Sequence, residues 1–169
     1  RQFSNPDDRE VVAFLAAALS YGRVSHIRAS VERLLAVMGD HPARFVRTLD
    51  PVMVRRALAG FVHRFNDARD TGLLLHYTSQ MLREAGTLEE FFLRGDDPTE
   101  GDIGPALASF TERALSLDCT PWYRSGRLPG DAGVRFFFPS PRDGSACKRL
   151  AMFLRWMARR DDGVDLGLW

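Results

Sequence analysis

The sequence predicts an all-α fold, a helical bundle of two lobes, and three observations carry that reading. Apolar residues recur at helical spacing through most of the chain, Pro, Gly and Asp bound each such stretch, and strand character is confined to a short segment around Val134–Phe138. With 169 residues, 45% of them hydrophobic and 27% charged, the chain has the size and balance of one globular domain rather than of a disordered segment.

Asp7 and Asp8 announce the first helix, offering an N-cap and negative charge at the positive end of its dipole. The run Val11 to Leu19 is apolar all round, which places this helix in the middle of the core. Ser20-Tyr21-Gly22 ends it, with Gly22 available for a left-handed conformation. Ser25 is the expected cap of a second helix, whose stripe is Ile27, Val31, Leu34, Leu35 and Met38 before Gly39.

Further helices are expected over 42–48, 51–65, 69–85 and 88–93. Segment 95–105 (GDDPTEGDIGP) is acidic and rich in breakers and reads as the loop between lobes, with another helix over 106–117. From Asp118 to Ala146 periodicity fades. A connection that long is functional or disordered, and Trp122, Tyr123 and Phe136-Phe137-Phe138 speak against disorder. It closes in a hairpin-like turn, Pro139 to Ser145, and enters a last helix over 147–160.

Two cysteines, Cys119 and Cys147, exclude a disulfide scaffold and a four-cysteine metal or iron–sulfur site within the chain. The longest apolar run is nine residues, too short to cross a bilayer. No leader and no membrane association are expected, and the expected location is cytoplasmic, at the nucleoid. The formal net charge of +1 hides an uneven distribution, acidic over 86–120 and basic over 121–169. All but one of the 23 basic residues are arginine, and the exception is Lys148.

In the last helix Leu150, Phe153, Leu154 and Met157 form the core-facing stripe, while Lys148, Arg155 and Arg159 share the opposite side. Lys148 falls in the first turn, where the dipole is positive. That is a poor place for a cation kept for helix stability. It suits an amine that must lose its proton, aided by Arg142, Arg149 and burial in a cleft. Arginine replaces lysine in charge and phosphate contact but forms no Schiff base, so a lone surviving lysine points to chemistry. The plainer reading is a lysine left by chance on a solvated face of an arginine-rich protein.

Residues 139–169 (PSPRDGSACKRLAMFLRWMARRDDGVDLGLW) closely resemble the signature of an uncharacterised bacterial family of unknown function. Asp8 to Phe14 running on to Tyr21-Gly22-Arg23-Val24, and Phe61-Val62-His63-Arg64-Phe65, fit the same family. That family distantly resembles the helix-hairpin-helix DNA glycosylases, among them endonuclease III and the archaeal oxidised-guanine glycosylases. The resemblance implies a helix-hairpin-helix-like element over 139–160. In those enzymes a Gly-x-Gly-x-Lys hairpin precedes a helix, and its lysine attacks the sugar of a damaged nucleotide. Gly144-Ser145-Ala146-Cys147-Lys148 matches with Gly144 and Lys148, and Ala146 stands where the second glycine belongs.

The resemblance further implies a partner, duplex DNA with a damaged base, and a reaction, glycosylase/lyase chemistry through a Schiff base on Lys148. Ser140, Arg142, Gly144, Ser145, Arg149 and Arg155 would hold the phosphates, and Tyr21 with Gly22 would lie against the gap left by the flipped base. For Tyr21, simple packing at a helix end is the competing reading. The glycosylases also need an aspartate beyond the lysine helix. It is expected past Trp169, so the chain is expected to be a fragment, with Asp165 the nearest substitute. His63 and Arg64 are expected as buried structural polar groups, and Trp156 with the three phenylalanines as core. No metal and no cofactor are expected, since His26, His41, His63 and His76 lack ligand spacing. Two other classes stay open: a DNA-binding hairpin module without chemistry, and a helical protein-interaction domain favoured by the near-zero charge and the acidic 86–120 segment.

Overall fold

A computed structural model describes residues 2–169. Its elements are α1 (Pro6–Ala18), α2 (Val24–Met38), α3 (Pro42–Arg47), α4 (Pro51–Ala57), β1 (Val62–His63), β2 (Asn66–Asp67), α5 (Ala68–Ala85), α6 (Leu88–Leu93), α7 (Gly104–Leu115) and α8 (Lys148–Ala158), with short 3₁₀ turns at Gly133–Phe137 and Pro141–Asp143. The fold is all-α apart from one small antiparallel hairpin, which pairs Val62 with Asp67 and His63 with Asn66.

α1 is the central helix its all-round apolar run requires. Val11, Phe14 and Leu15 are buried, and the Phe14 ring meets Phe110 of α7, Phe138 and Phe153 of α8 at 5.3–6.2 Å between centroids. Its cap is Asn5 rather than Asp7 or Asp8: the Asn5 side chain accepts from the Asp7 amide at 2.8 Å. Asp8 is buried and accepts instead from the Ala43 amide (2.8 Å), at the start of α3. The second helix likewise starts without its expected cap, because Ser25 lies inside α2 and Arg23 precedes it with no side-chain bond.

The helix expected over 51–65 ends at Ala57. Gly60 (φ 68°) turns the chain, the Arg33 guanidinium caps the carbonyls of Ala59 and Gly60 at 2.9 and 3.0 Å, and the β-hairpin follows. Asp67 and Asp70 then form a reciprocal capping box that starts α5, the second central helix. The short strand expected around Val134–Phe138 is a 3₁₀ turn. A strand would send Phe137 and Phe138 to opposite faces, whereas both are buried in the same core, Phe137 ending the turn and Phe138 following it. Every α-helix contributes to one hydrophobic cluster, on both sides of the acidic segment 95–105.

Beyond α8 the chain doubles back over the helix. The amides of Leu166 and Gly167 donate to the Trp156 carbonyl and that of Trp169 to Met157, at 2.7, 3.1 and 3.0 Å. The Trp169 indole donates to Glu10 at 2.8 Å, and the same buried carboxylate caps α6 through the amides of Leu88 and Glu89. Among the described residues, no helix is long and apolar enough to cross a membrane.

Candidate functional site

A cleft of about 970 Å³ opens where the end of α1, the tip of the β-hairpin, the 130–138 segment and the start of α8 meet. Tyr21, Ser140, Ser145, Lys148 and Arg149 all line it, so five of the residues singled out in the sequence are brought together from positions up to 128 apart. Asp131 and Asp143 line it too, which makes its charge mixed in sign.

The hairpin is built by capping and backbone reversal. Ser140 accepts from the Arg142 amide (3.2 Å), Gly144 takes the left-handed conformation (φ 73°), and Ser145 accepts from the Cys147 amide (3.2 Å). Cys147 is left-handed as well (φ 47°), a conformation that costs a residue with a Cβ about 1–2 kcal/mol. It is buried, and its thiol donates to the Pro139 carbonyl at 3.2 Å. This reversal aims the N-terminus of α8 into the cleft with no side chain capping it. The first amides of a helix lack intrahelical acceptors, and they form a seat for an anion.

Lys148 is the first residue of α8. It stands exposed at the cleft, where the sequence reading expected an amine enclosed by burial, and among the described residues its ammonium has no ion-pair partner. Arg142 is turned away to an ion pair with Glu112 of α7. Arg149 instead lies over Phe136, 3.9 Å from the ring centroid, and over Tyr21 at 5.0 Å, while donating to the Phe136 carbonyl. Burial lowers its pKa below the usual guanidinium value. Arg155 is two turns further along α8, about 10 Å by helical rise, and joins Arg159 on the buried Asp165 at 3.3 and 3.4 Å. Asp165 is thus a structural anchor for the C-terminal segment and lies outside the cleft.

Tyr21 forms a wall of the cleft. Its ring meets His63, Phe65 and Phe136 at 4.5, 5.4 and 4.7 Å. Its hydroxyl donates to Asn66 Oδ1 at 2.5 Å, and the Asn66 amide donates in turn to Asp70 (3.0 Å) and to the Gly133 carbonyl (2.9 Å). Burial pushes the phenol up to about 12, with Arg149 opposing. Asn66, Asp70 and Gly133 were missed in the sequence. The adjacent capping signal of Asp67 and Asp70 was readable there, but nothing in the spacing ties either residue to Tyr21.

Gly22 (φ 98°) is left-handed as expected, and a Cβ on it would lie 2.6 Å from Arg64 Cδ. His63 is buried as expected, held by Ser30 (2.8 Å) and the Tyr21 carbonyl (3.2 Å). Arg64 is not: it is exposed, at φ 55° on the hairpin turn, with its side chain laid across Gly22. Phe137 and Phe138 are core and Trp156 is half-buried against it, but Phe136 leaves the core for the cleft. Among the described residues, no group of three His, Cys, Asp or Glu is placed to hold a metal ion.

A family model described as a protein of unknown function, DUF2400, matches residues 1–169. The chain belongs to the DUF2400 family. No curated protein and no solved structure matched it. In this DUF2400 chain, therefore, the cleft itself is the guide to function.

Proposed function

We propose that this protein binds DNA carrying a damaged base and that Lys148 reacts with the sugar of that nucleotide. The observation that supports this reading is the convergence on one cleft of Lys148, the uncapped start of α8 and the Ser140–Ser145 hairpin. Backbone N–H groups there hold a phosphate. The damaged base is drawn from the stack at a cost of a few kcal/mol. The uncharged Nζ attacks C1′. The C1′–N bond breaks, and its electron pair leaves with the base, which takes up a proton. Nζ loses a proton, the C1′–O4′ bond opens with its electron pair going to O4′, which is protonated, and a protonated imine joins Nζ to C1′.

A second reading, a hairpin module that docks on DNA without chemistry, is favoured by the exposure of Lys148 and by Asp165 lying outside the cleft. Borohydride separates the two, because hydride reduces an imine to a stable amine. Oligonucleotides with oxidised, deaminated or abasic sites are incubated with the protein and with Lys148→Ala, and borohydride is added. A covalent adduct that disappears in the variant is the expected result. Salt-sensitive binding with no adduct leaves the docking module. No binding at low salt removes both readings, and a protein partner recovered in addition would point to a protein-interaction domain.

A further inference from the structure

We infer that Phe65 and Phe136 form a stacking seat for one unpaired nucleobase, so that the cleft takes nucleic acid with an unpaired nucleotide in preference to an intact duplex. This rests on the nucleic-acid reading above and names the class of strand it acts on.

The hairpin supplies the first observation. With Val62 paired to Asp67 and His63 to Asn66, its loop is the two residues Arg64-Phe65. Such loops are the province of Asn and Gly, because they demand positive φ. Here Arg64 takes φ 55°, and Phe65 is carried out at the tip, 61% exposed, at the mouth of the cleft. A strained turn that presents a large apolar ring to water breaks two local rules at once, which marks a functional position.

The ring packing supplies the second. Phe136, 37% exposed, meets Phe65 edge to face at 4.6 Å and 83°. Tyr21 backs Phe65 from the inside, and Arg149 occupies Phe136 at 3.9 Å. Phe65 is therefore held by its neighbours on its inner side, while its exposed side is free to stack. Every base offers a π-face, so such a ring recognises an unstacked base without regard to sequence.

Charge supplies the third. Lys148 and Arg149 line the same cleft as Phe65 and Phe136, so cations accompany the seat. Asp131 and Asp143 interrupt them. A mixed-sign cleft disfavours a long run of phosphates but tolerates one or two beside a stacked base.

The test uses the protein with three oligonucleotides: an intact duplex, the same duplex with one bulged 2-aminopurine, and a single strand. Phe65→Ala and Phe65→Trp are compared with wild type by anisotropy and 2-aminopurine fluorescence, and equal urea midpoints establish that the variants are folded. Wild type should prefer the bulged and single strands about tenfold, quenching the fluorophore. Phe65→Ala should lose that preference and the quenching, and Phe65→Trp should restore both. Wild type without a preference, or Phe65→Ala with an undiminished one, overturns the stacking seat while leaving DNA binding intact. A wild type that binds no oligonucleotide overturns both proposals. If instead it forms a dimer that Phe65→Ala dissolves, Phe65 is an interface residue and the seat is wrong.

Discussion

Gly133 and the Asp70 carboxylate are packed so closely that a Cβ on Gly133 would lie 2.2 Å from Asp70 Oδ2. Asp70 and the Gly133 carbonyl together hold the Asn66 amide and so direct its Oδ1 to Tyr21, a wall of the cleft. Gly133→Ala must displace either the α5 cap or the 3₁₀ turn. We expect it to cost about 1–3 kcal/mol, measured as a lower urea midpoint with an unchanged slope. A midpoint equal to wild type contradicts this packing.

Tyr21 and Asn66 should be coupled. Tyr21→Phe keeps the ring among His63, Phe65, Phe136 and Arg149 and removes only the hydroxyl, leaving Asn66 Oδ1 without that donor, at a cost of about 1 kcal/mol. Asn66→Ala also removes one of the donors to the buried Asp70 carboxylate, leaving it the Asp67 amide, and should cost about 1–3 kcal/mol. The double variant should cost less than the two singles added. Strict additivity in a double-mutant cycle would show that the two side chains act independently.

Asp165 is fully buried and shared by Arg155 and Arg159, whose own side chains are more than half exposed. Loss of one arginine leaves the other in place, so Arg155→Ala alone should cost under about 1 kcal/mol. Loss of both strands a buried carboxylate and should cost about 3–5 kcal/mol. The predicted signature is strong non-additivity in thermal or urea unfolding. A double variant no less stable than either single would mean that the C-terminal segment is held without this ion pair.

Two buried histidines make stability depend on pH. Burial lowers the pKa of His63 and of His76; at His76 Asp118, 4.0 Å away, opposes the shift. Both folded-state values therefore lie below the unfolded value of about 6.5. The unfolded chain takes up protons first, so stability is complete above about pH 6.5 and falls as pH drops below it. The urea midpoint should decline from pH 7.5 to pH 5, and His76→Gln should flatten that decline. A midpoint that rises toward pH 5 would reverse the sign and contradict the burial.

The helices were readable because periodicity and caps are local. The all-round apolar α1, the stripe of α8 and the breaker-rich segment at 95–105 each carry their signal within one helix or one loop. Two of the misreadings share a cause. Asp8 and the 51–65 stretch satisfy local rules, but their outcome was decided by distant partners, the Ala43 amide and Arg33 reaching the carbonyls of Ala59 and Gly60. Ser25, by contrast, was bypassed because α2 starts one residue earlier, after an uncapped Arg23. The cleft divides in the same way. The hairpin from Ser140 to Lys148 was visible as a contiguous motif. Asn66, Asp70, Phe65 and Gly133 were not, because they reach Tyr21 only through tertiary contact. Arg142 and Arg155, phosphate contacts by the resemblance, are engaged by carboxylates 30 and 10 residues away, which no local pattern announces.

Peptide mapping of the borohydride-reduced complex with an abasic oligonucleotide bears most directly on the central claim. After nuclease and protease digestion, mass spectrometry should find the sugar-derived adduct on Lys148, at the start of α8, and on no other amine. An adduct on another amine, or a reduced complex with Lys148 unmodified, would contradict the assignment of Lys148 as the reacting group.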